Sequence, residues 1–529
     1  MLYTEDRKSS KKSRYTITIV LLSILLLCGC NHTAHKERQI TVEAFSQLKT
    51  PAFVYSISTI RSQLQLLAKA DDGSTLPDRQ TRRYYQEGQH PLIWISRAGV
   101  DVQADSLLAW LHLLKEIGMS EEAFHVSEIE HDLHRLRTLD VEEGRNIISQ
   151  LMARLEYQLT RACLRYCYGQ RFGFINPNSV FNNLDIEKED TARNYVRYRG
   201  LFDIKIDRSG KDYPQQIVRK VRHDSLAVYL RSIQPHSLLY TKLKQMLAIA
   251  LTADERQRIM VNMEQLRWRR EQPIEDEEKR IVVNIPAYHL YAQGLDQQLD
   301  MRVVCGSSKT KTPLLSSYIE WMEVNPQWVI PASIIENEVV RHAGDSSYFA
   351  RNRYHIYHKE TKEEMMPAQV SQAMLLSGKY RVAQEGGAGN SLGRIVFRFK
   401  NNFSVFLHDT SNPGAFERIS RAMSHGCVRV AKPFDLAQFV LDQPDDWLLD
   451  RLRISMGMPA ETPQGLDYLQ SHPDEKDRNK LIGYIPVKPR VPIYIIYHTI
   501  WPDENGVIQT WPDVYGYDQV VWNHLKPYL

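Results

Sequence analysis

The chain has 529 residues, of which 43% are hydrophobic and 25% charged, and its formal net charge is +4. That length exceeds one ordinary core and implies two or three domains of normal globular composition. So small a charge, with no basic stripe beyond the N-terminus, excludes nucleic acid as a partner.

Arg7, Lys8, Lys11, Lys12 and Arg14 precede an apolar run from Ile17 to Leu27. The run is short for a bilayer span and suits the apolar region of an export signal covering residues 1–29. It ends Leu27-Cys28-Gly29-Cys30, which resembles a lipoprotein processing site with Cys30 as the lipidated residue. Acyl chains on Cys30 would hold the protein at a membrane surface by burying methylenes. A single N-terminal transmembrane anchor is the alternative reading, and under either one the rest of the chain is exported. Residues 30–54 read as a polar tether.

From about 55 to 250 the pattern is helical: Leu107, Leu108, Trp110, Leu111, Leu113 and Leu114 recur at helical spacing, and Ile147 to Tyr168 repeats the signal. Thr252 followed by Glu255 forms a capping box that opens a linker helix within 251–277. The period then changes. Ile281–Ile285, Met301–Cys305, Ile395–Phe399, Phe403–Leu407 and Val491–His498 are short β-branched or aromatic runs, predicting a β-rich domain over 278–529. Within it lies an insertion of helical and charged character, about 333–390, ending in the flexible Gly386-Gly387-Ala388-Gly389. An insertion of that length reads as a lid or binding element. Gly457 to Asn479 reads as a second insertion. The fold class is α+β.

Of the six cysteines, Cys28 and Cys30 belong to the signal. Cys163 and Cys167 share a helix face and read as buried thiols, and Cys305 sits in a strand and reads as core. No paired-cysteine spacing calls for zinc, so no metal or other cofactor is expected. Lys309, in Gly306-Ser307-Ser308-Lys309-Thr310, lacks the glycine spacing of a phosphate loop.

Cys427 differs. It lies in Ser424-His425-Gly426-Cys427-Val428-Arg429-Val430, after Leu407-His408-Asp409-Thr410. A nucleophilic thiol needs a base and backbone amides aimed at the oxyanion it creates. Gly426 lets the backbone approach a substrate closely. Arg429 shares a strand face with Cys427 if the segment is extended, to pair with a substrate carboxylate or hold the loop.

His408, fifteen residues, then Ser424-His425-Gly426-Cys427 resembles the signature of L,D-transpeptidases with a YkuD-type catalytic domain. Further stretches resemble the YcbB-like subgroup, among them Asn262 to Trp268, Val283-Asn284-Ile285-Pro286, Lys311-Thr312-Pro313 and Asn325-Pro326-Gln327-Trp328. Gly389-Asn390-Ser391-Leu392-Gly393 and Tyr515-Gly516-Tyr517-Asp518 match too. The resemblance covers roughly residues 80 to 529 and implies a β-sandwich-like catalytic domain with an inserted lid, behind a helical scaffold domain. It lacks a peptidoglycan-binding module between the two.

The resemblance assigns Cys427 as nucleophile and His408 as base, with amides around Gly426 and Cys427 as the oxyanion hole. His425 would shape the pocket or contact substrate, with Ser424, Arg429 and Trp328 as further substrate-site residues and Tyr354 beside the lid. The third triad member would be a backbone carbonyl rather than the Asp409 carboxylate. The implied reaction is peptidoglycan L,D-transpeptidation in the periplasm on stem peptides. Cys427 forms a thioester with release of D-alanine, and a neighbouring amine takes the acyl group in a 3→3 cross-link. Carbapenems would acylate the same thiol. The rivals are an L,D-carboxypeptidase or endopeptidase, in which water is the acceptor, and a non-catalytic cell-wall scaffold protein.

Overall fold

The computed structural model of the chain describes residues 40–48, 54–87, 90–142, 146–190, 195–271 and 274–529. The export signal and Cys30 lie outside the described residues. Among those described, no helix is long and apolar enough to cross a membrane. Part of the expected tether is helical. Thr41 Oγ1 accepts the Ala44 N–H and caps Val42–Ser46, which buries Phe45.

The chain divides into two compact units. The first comprises residues up to Asp71, Arg82–Val102 and Ser127–Leu159. Its organiser is Glu156, wholly buried on the helix Ile147–Phe172. The carboxylate accepts the amides of Ile93, Trp94 and Ile95 at 2.6, 2.8 and 3.1 Å and the Tyr85 hydroxyl at 2.8 Å. Burial pushes its carboxyl up, and these four donors oppose that shift.

The second unit takes the remainder. Its C-terminal half is built on a sheet of eight main strands: β1 (Arg280–Asn284), β2 (His289–Gln293), β3 (Gln298–Gly306), β4 (Leu314–Val324), β5 (Ile395–Phe399), β6 (Leu407–His408), β7 (Val428–Val430) and β8 (Tyr484–Ile496). The pairing order is β5-β6-β7-β3-β2-β1-β8-β4, and β4 pairs again with β5, so the sheet closes on itself. Closure removes the exposed edges and encloses one interior; the sheet-rich domain expected is present, as one closed sheet rather than the two facing sheets of a sandwich. The register aligns the apolar residues around it: Leu290 faces Met301, Val303 faces Val430, Val428 faces Leu407, Leu407 faces Phe397 and Phe397 faces Met322. All are almost fully buried. Side chains alternate along a strand, so His408, Arg429 and Arg398 are left on the outer face.

Three expectations need correction. Phe403 to Phe406 is not a strand. The Asn401 side chain accepts the amides of Phe403 and Val405 at 3.0 and 3.2 Å and donates to the Val405 carbonyl at 2.8 Å, holding a turn instead. The insertion is not merely helical and charged. It carries a four-stranded sheet, beginning at Trp328–Val329, over its own core of Ile330, Ile335, Phe349, Ile356 and Val382. Its glycine-rich end is a packed neck rather than a free loop. A Cβ on Gly386 would meet the Asn325 carbonyl oxygen at 2.2 Å, and Asn390, fully buried, donates to the Pro326 and Glu385 carbonyls at 3.2 and 2.9 Å. The segment Gly457 to Asn479 forms the helices Pro463–Ser471 and Glu475–Arg478.

Two asparagines from the family-like stretches tie the linker helix Ala253–Arg267 and β1 to the turn after β8. Asn262 donates to Thr499 Oγ1 at 2.8 Å and accepts the Ile500 amide at 3.1 Å. Asn284 donates to the His498 carbonyl and accepts its amide, both at 2.9 Å.

Candidate active site

The site lies where β6 and β7 run parallel, His408 opposite Arg429 and Leu407 opposite Val428. The Val428 amide donates to the Phe406 carbonyl at 3.0 Å, so Cys427 and Phe406, one residue before the ladder on each strand, continue the row. Cys427, Arg429, Phe406 and His408 therefore project from one outer face. Arg398 of β5 joins them, its guanidinium carbon 4.3 Å from the Phe406 ring centroid.

His408 is buried, and its Nδ1 lies 2.6 Å from the Asp409 carbonyl oxygen. That contact fixes Nδ1 as the donor and leaves Nε2 to accept. The group that orients the ring is thus a main-chain oxygen. The Asp409 carboxylate turns away and accepts the Arg394 amide at 2.8 Å. Burial, then the positive charge of Arg429, holds the His408 imidazole down at about 4, against the carbonyls of Asp409 and Leu392. The ring is neutral at neutral pH.

Cys427 is partly exposed, and its Sγ contacts the Ser404 carbonyl at 3.9 Å. Burial of the sulfur pushes the thiol up, while the Phe406 amide and the charges of Arg398 and Arg429 pull it back. No hydrogen bond joins His408 to Cys427 among the described residues. The two occupy adjacent strands, one register step apart on a common face. Such contacts commonly tighten only when substrate arrives.

The loop before Cys427 is held from below. Gly426 sits at φ +117°, a backbone region open to glycine. Its amide donates to Ser424 Oγ at 3.1 Å, and Ser424 Oγ donates to the Cys427 carbonyl at 2.5 Å. The Gly426 carbonyl accepts from Thr312 Oγ1 at 2.8 Å, Thr312 Oγ1 accepts the Gly306 amide at 2.8 Å, and Tyr515 donates to the Gly306 carbonyl at 2.7 Å. Ser424 is therefore a loop brace, and the Gly426 amide is already occupied.

His425 is exposed and meets Glu338 of the insertion, Nε2 to Oε1 3.1 Å. Arg429 flanks the sulfur on the same face, and burial lowers its pKa. Trp328 packs against the insertion's own core, as does Tyr354. Cys163 and Cys167 are buried free thiols 4.0 Å apart, and Cys305 is buried in β3. The sequence reading missed Arg398, Phe406, Ser404 and Glu338. Of these Arg398 left a signal, a charge alternating with aromatics in Phe397-Arg398-Phe399.

Residues 278–445 match the L,D-transpeptidase catalytic domain family (YkuD), and residues 79–247 match the scaffold domain family. A curated protein of Haemophilus influenzae, named "Putative L,D-transpeptidase", is 28% identical over 331 residues. The match covers 60% of this chain and 62% of that protein, so the chain spans less than two thirds of its relative. Among solved structures, the L,D-transpeptidase from Mycobacterium smegmatis aligns with a TM-score of 0.18 at 12% identity, covering 41% of this chain and 58% of the other.

Proposed function

Since the chain joins a scaffold domain to an L,D-transpeptidase catalytic domain of the YkuD type, we propose that it is a cysteine acyltransferase that forms 3→3 cross-links between peptidoglycan stem peptides. The observation that carries this reading is the common outer face of Cys427 and His408, with the imidazole oriented by the Asp409 carbonyl.

The thiol of Cys427 attacks the carbonyl at the L-centre of the third stem residue as His408 Nε2 takes its proton. The resulting oxyanion is met by the Cys427 amide, since the Gly426 amide is bound to Ser424. The C–N bond to D-alanine then breaks, and the histidine returns the proton to the leaving amine. A thioester remains. An acceptor amine attacks it, the new amide forms, the C–S bond breaks and the thiol regains a proton. Bond energy is conserved through the covalent intermediate, so no nucleotide is consumed. Export and lipidation at Cys30 would place the reaction in the periplasm at a membrane surface.

Mass spectrometry of the protein incubated with a carbapenem tests the nucleophile. The expected result is one adduct, localised to Cys427 and absent from Cys427→Ala. An adduct that persists in that variant overturns the assignment. Incubation with disaccharide tetrapeptides tests the reaction: a cross-linked dimer with loss of D-alanine is expected, and tripeptide alone would make water the acceptor.

A further inference from the structure

One stretch of the scaffold domain, within the same compact unit as the site, reaches the loops that hold the nucleophile. Phe202–Asp203 pairs in parallel with the start of β4, Phe202 opposite Leu314, and the Leu201 carbonyl accepts the Leu314 amide at 2.8 Å. Asn182, just after the helix Pro177–Phe181, fixes this stretch. Its side-chain oxygen accepts the Leu201 and Phe202 amides at 2.8 and 2.9 Å, and its side-chain nitrogen donates to the Phe202 carbonyl at 3.0 Å. Between Asn182 and Leu201 lies a two-stranded ribbon, Asp185–Asp190 with Tyr195–Arg199. Asp185 faces Arg199, so both stand at the ribbon's base.

From that base the two side chains close on residues 306–312, the loop after β3. Lys311 Nζ donates to both Asp185 carboxylate oxygens at 2.6 and 2.8 Å, and Arg199 donates to the Lys309 carbonyl at 2.6 Å. The Lys311 and Asp185 side chains are only 12% and 22% exposed, so solvent screens the pair weakly. This loop in turn carries the nucleophile loop. The Ser307 amide and the Thr310 hydroxyl donate to the Ser424 carbonyl at 3.0 and 2.8 Å, and Thr312 holds the Gly426 carbonyl. The same scaffold stretch meets the other side of the sulfur. Asn402 donates to Asp203 at 3.0 Å, and a Cβ on Gly200 would meet the Phe403 ring at 3.0 Å. Ser404, the next residue, carries the carbonyl that contacts Sγ.

Resting on the acyltransfer reading above, we propose that Asp185 and Arg199 are positioning residues for acylation, through which the scaffold domain sets the Cys427 main chain. An oxyanion donor works only when it lies about 2.7–3.1 Å from the developing charge, so a small shift of the loop removes its effect. Ser308 and Lys309 at the tip of 306–312 are exposed, and the two scaffold side chains hold the loop from that side. Neither residue acts on the sulfur itself; each works through Lys309 or Lys311 and then through Ser424 and Gly426.

Two reactions of Cys427 in the full chain separate positioning from general damage. Acylation by a carbapenem passes through an oxyanion and needs the aligned amide. Alkylation by iodoacetamide displaces iodide at a saturated carbon and needs only the thiolate. Asp185→Asn and Arg199→Met should each slow acylation by about tenfold while alkylation stays within about twofold of wild type. Lys311→Met should match Asp185→Asn, and the double variant should be no slower than either single one, because both remove one contact. Unchanged acylation in Asp185→Asn or Arg199→Met overturns the role of that residue, and alkylation that shifts in step with acylation overturns positioning altogether. Hydrogen exchange at the Gly306 and Thr312 amides reads the hold without chemistry and should quicken in Asp185→Asn. Unchanged exchange overturns the proposal even in a protein that no carbapenem acylates, whereas absence of acylation in wild type sinks only the acyltransfer reading.

Discussion

Thr312→Val isolates what the hydroxyl beneath the nucleophile loop contributes. Thr312 is fully buried; its Oγ1 accepts the Gly306 amide and donates to the Gly426 carbonyl, each at 2.8 Å. Valine keeps the shape, so no cavity opens, but it leaves a buried N–H and a buried C=O without their partner. Each such group costs about 1–3 kcal/mol, which places the local destabilisation at about 2–6 kcal/mol. Thr312→Ser keeps both hydrogen bonds and loses one methyl, worth about 1 kcal/mol. Because the chain forms two compact units, a single unfolding midpoint is a poor readout. Native-state hydrogen exchange at the Gly306 amide reads the site directly. At 2 kcal/mol the valine variant should exchange about thirtyfold faster than wild type, and the serine variant no more than about fivefold faster. Acylation of Cys427 should slow in step, since the Gly426 carbonyl loses its anchor. Equal exchange in the valine and serine variants, with acylation intact, would show that the hydroxyl does not hold the loop.

Burial raises the Cys427 thiol, so thiolate at rest is scarce at neutral pH. Alkylation by iodoacetamide should therefore climb about tenfold per pH unit from 6 to 8 without a plateau; a plateau below pH 7 would indicate a preformed thiolate–imidazolium pair instead. His408 is held at about 4, so a base-dependent acid limb in acylation kcat/KM belongs near that value, and a limb at 6.5 would refute the effect of burial on the ring. At Gly426 an added Cβ would meet nothing nearer than 3.7 Å, so Gly426→Ala is limited by its φ of +117° alone. That strain is about 1–3 kcal/mol, and acylation should fall while circular dichroism stays unchanged. The Glu338–His425 contact is too exposed to set stability. Glu338→Gln should leave thermal unfolding unchanged but speed hydrogen exchange over residues 332–342, and unaltered exchange would show that the pair does not restrain the insertion.

The sheet was legible because its runs are short and rich in β-branched and aromatic residues. Ile281-Val282-Val283 and Ile395-Val396-Phe397 carry the β-branched and aromatic pattern that packs on a pleated surface, and both are strands. The run Phe403-Ser404-Val405-Phe406 carries the same composition and failed. There the Asn401 side chain competes for the backbone, a local bond that residue periodicity does not encode. The insertion misled for a different reason. Its surface strands mix charged and apolar residues, and Ile330, Phe349, Ile356 and Val382 come together only once Trp328–Val329 pairs with Ala383–Gln384, far along the chain. At the site, Cys427 and His408 stood out by type and spacing. Arg398 and Phe406 did not, because what brings them to the sulfur is the closed register of β5, β6 and β7.

That register also accounts for the protonation state, which residue types alone would have reversed. A cysteine beside a histidine and two arginines reads as a thiolate poised by positive charge. Here the closed sheet sets His408 against Arg429 and buries the ring, so the same arginine that favours a thiolate disfavours an imidazolium. The imidazole cannot gain a proton at rest, and the thiol, raised by burial, does not shed one. In the acyl-transfer reading proposed above, proton transfer then accompanies attack, when the departing proton is matched by charge moving onto the substrate carbonyl. An orienting main-chain oxygen suits that order. The Asp409 carbonyl fixes the ring without adding the full negative charge that would raise its basicity, and the Asp409 carboxylate is drawn off to the Arg394 amide.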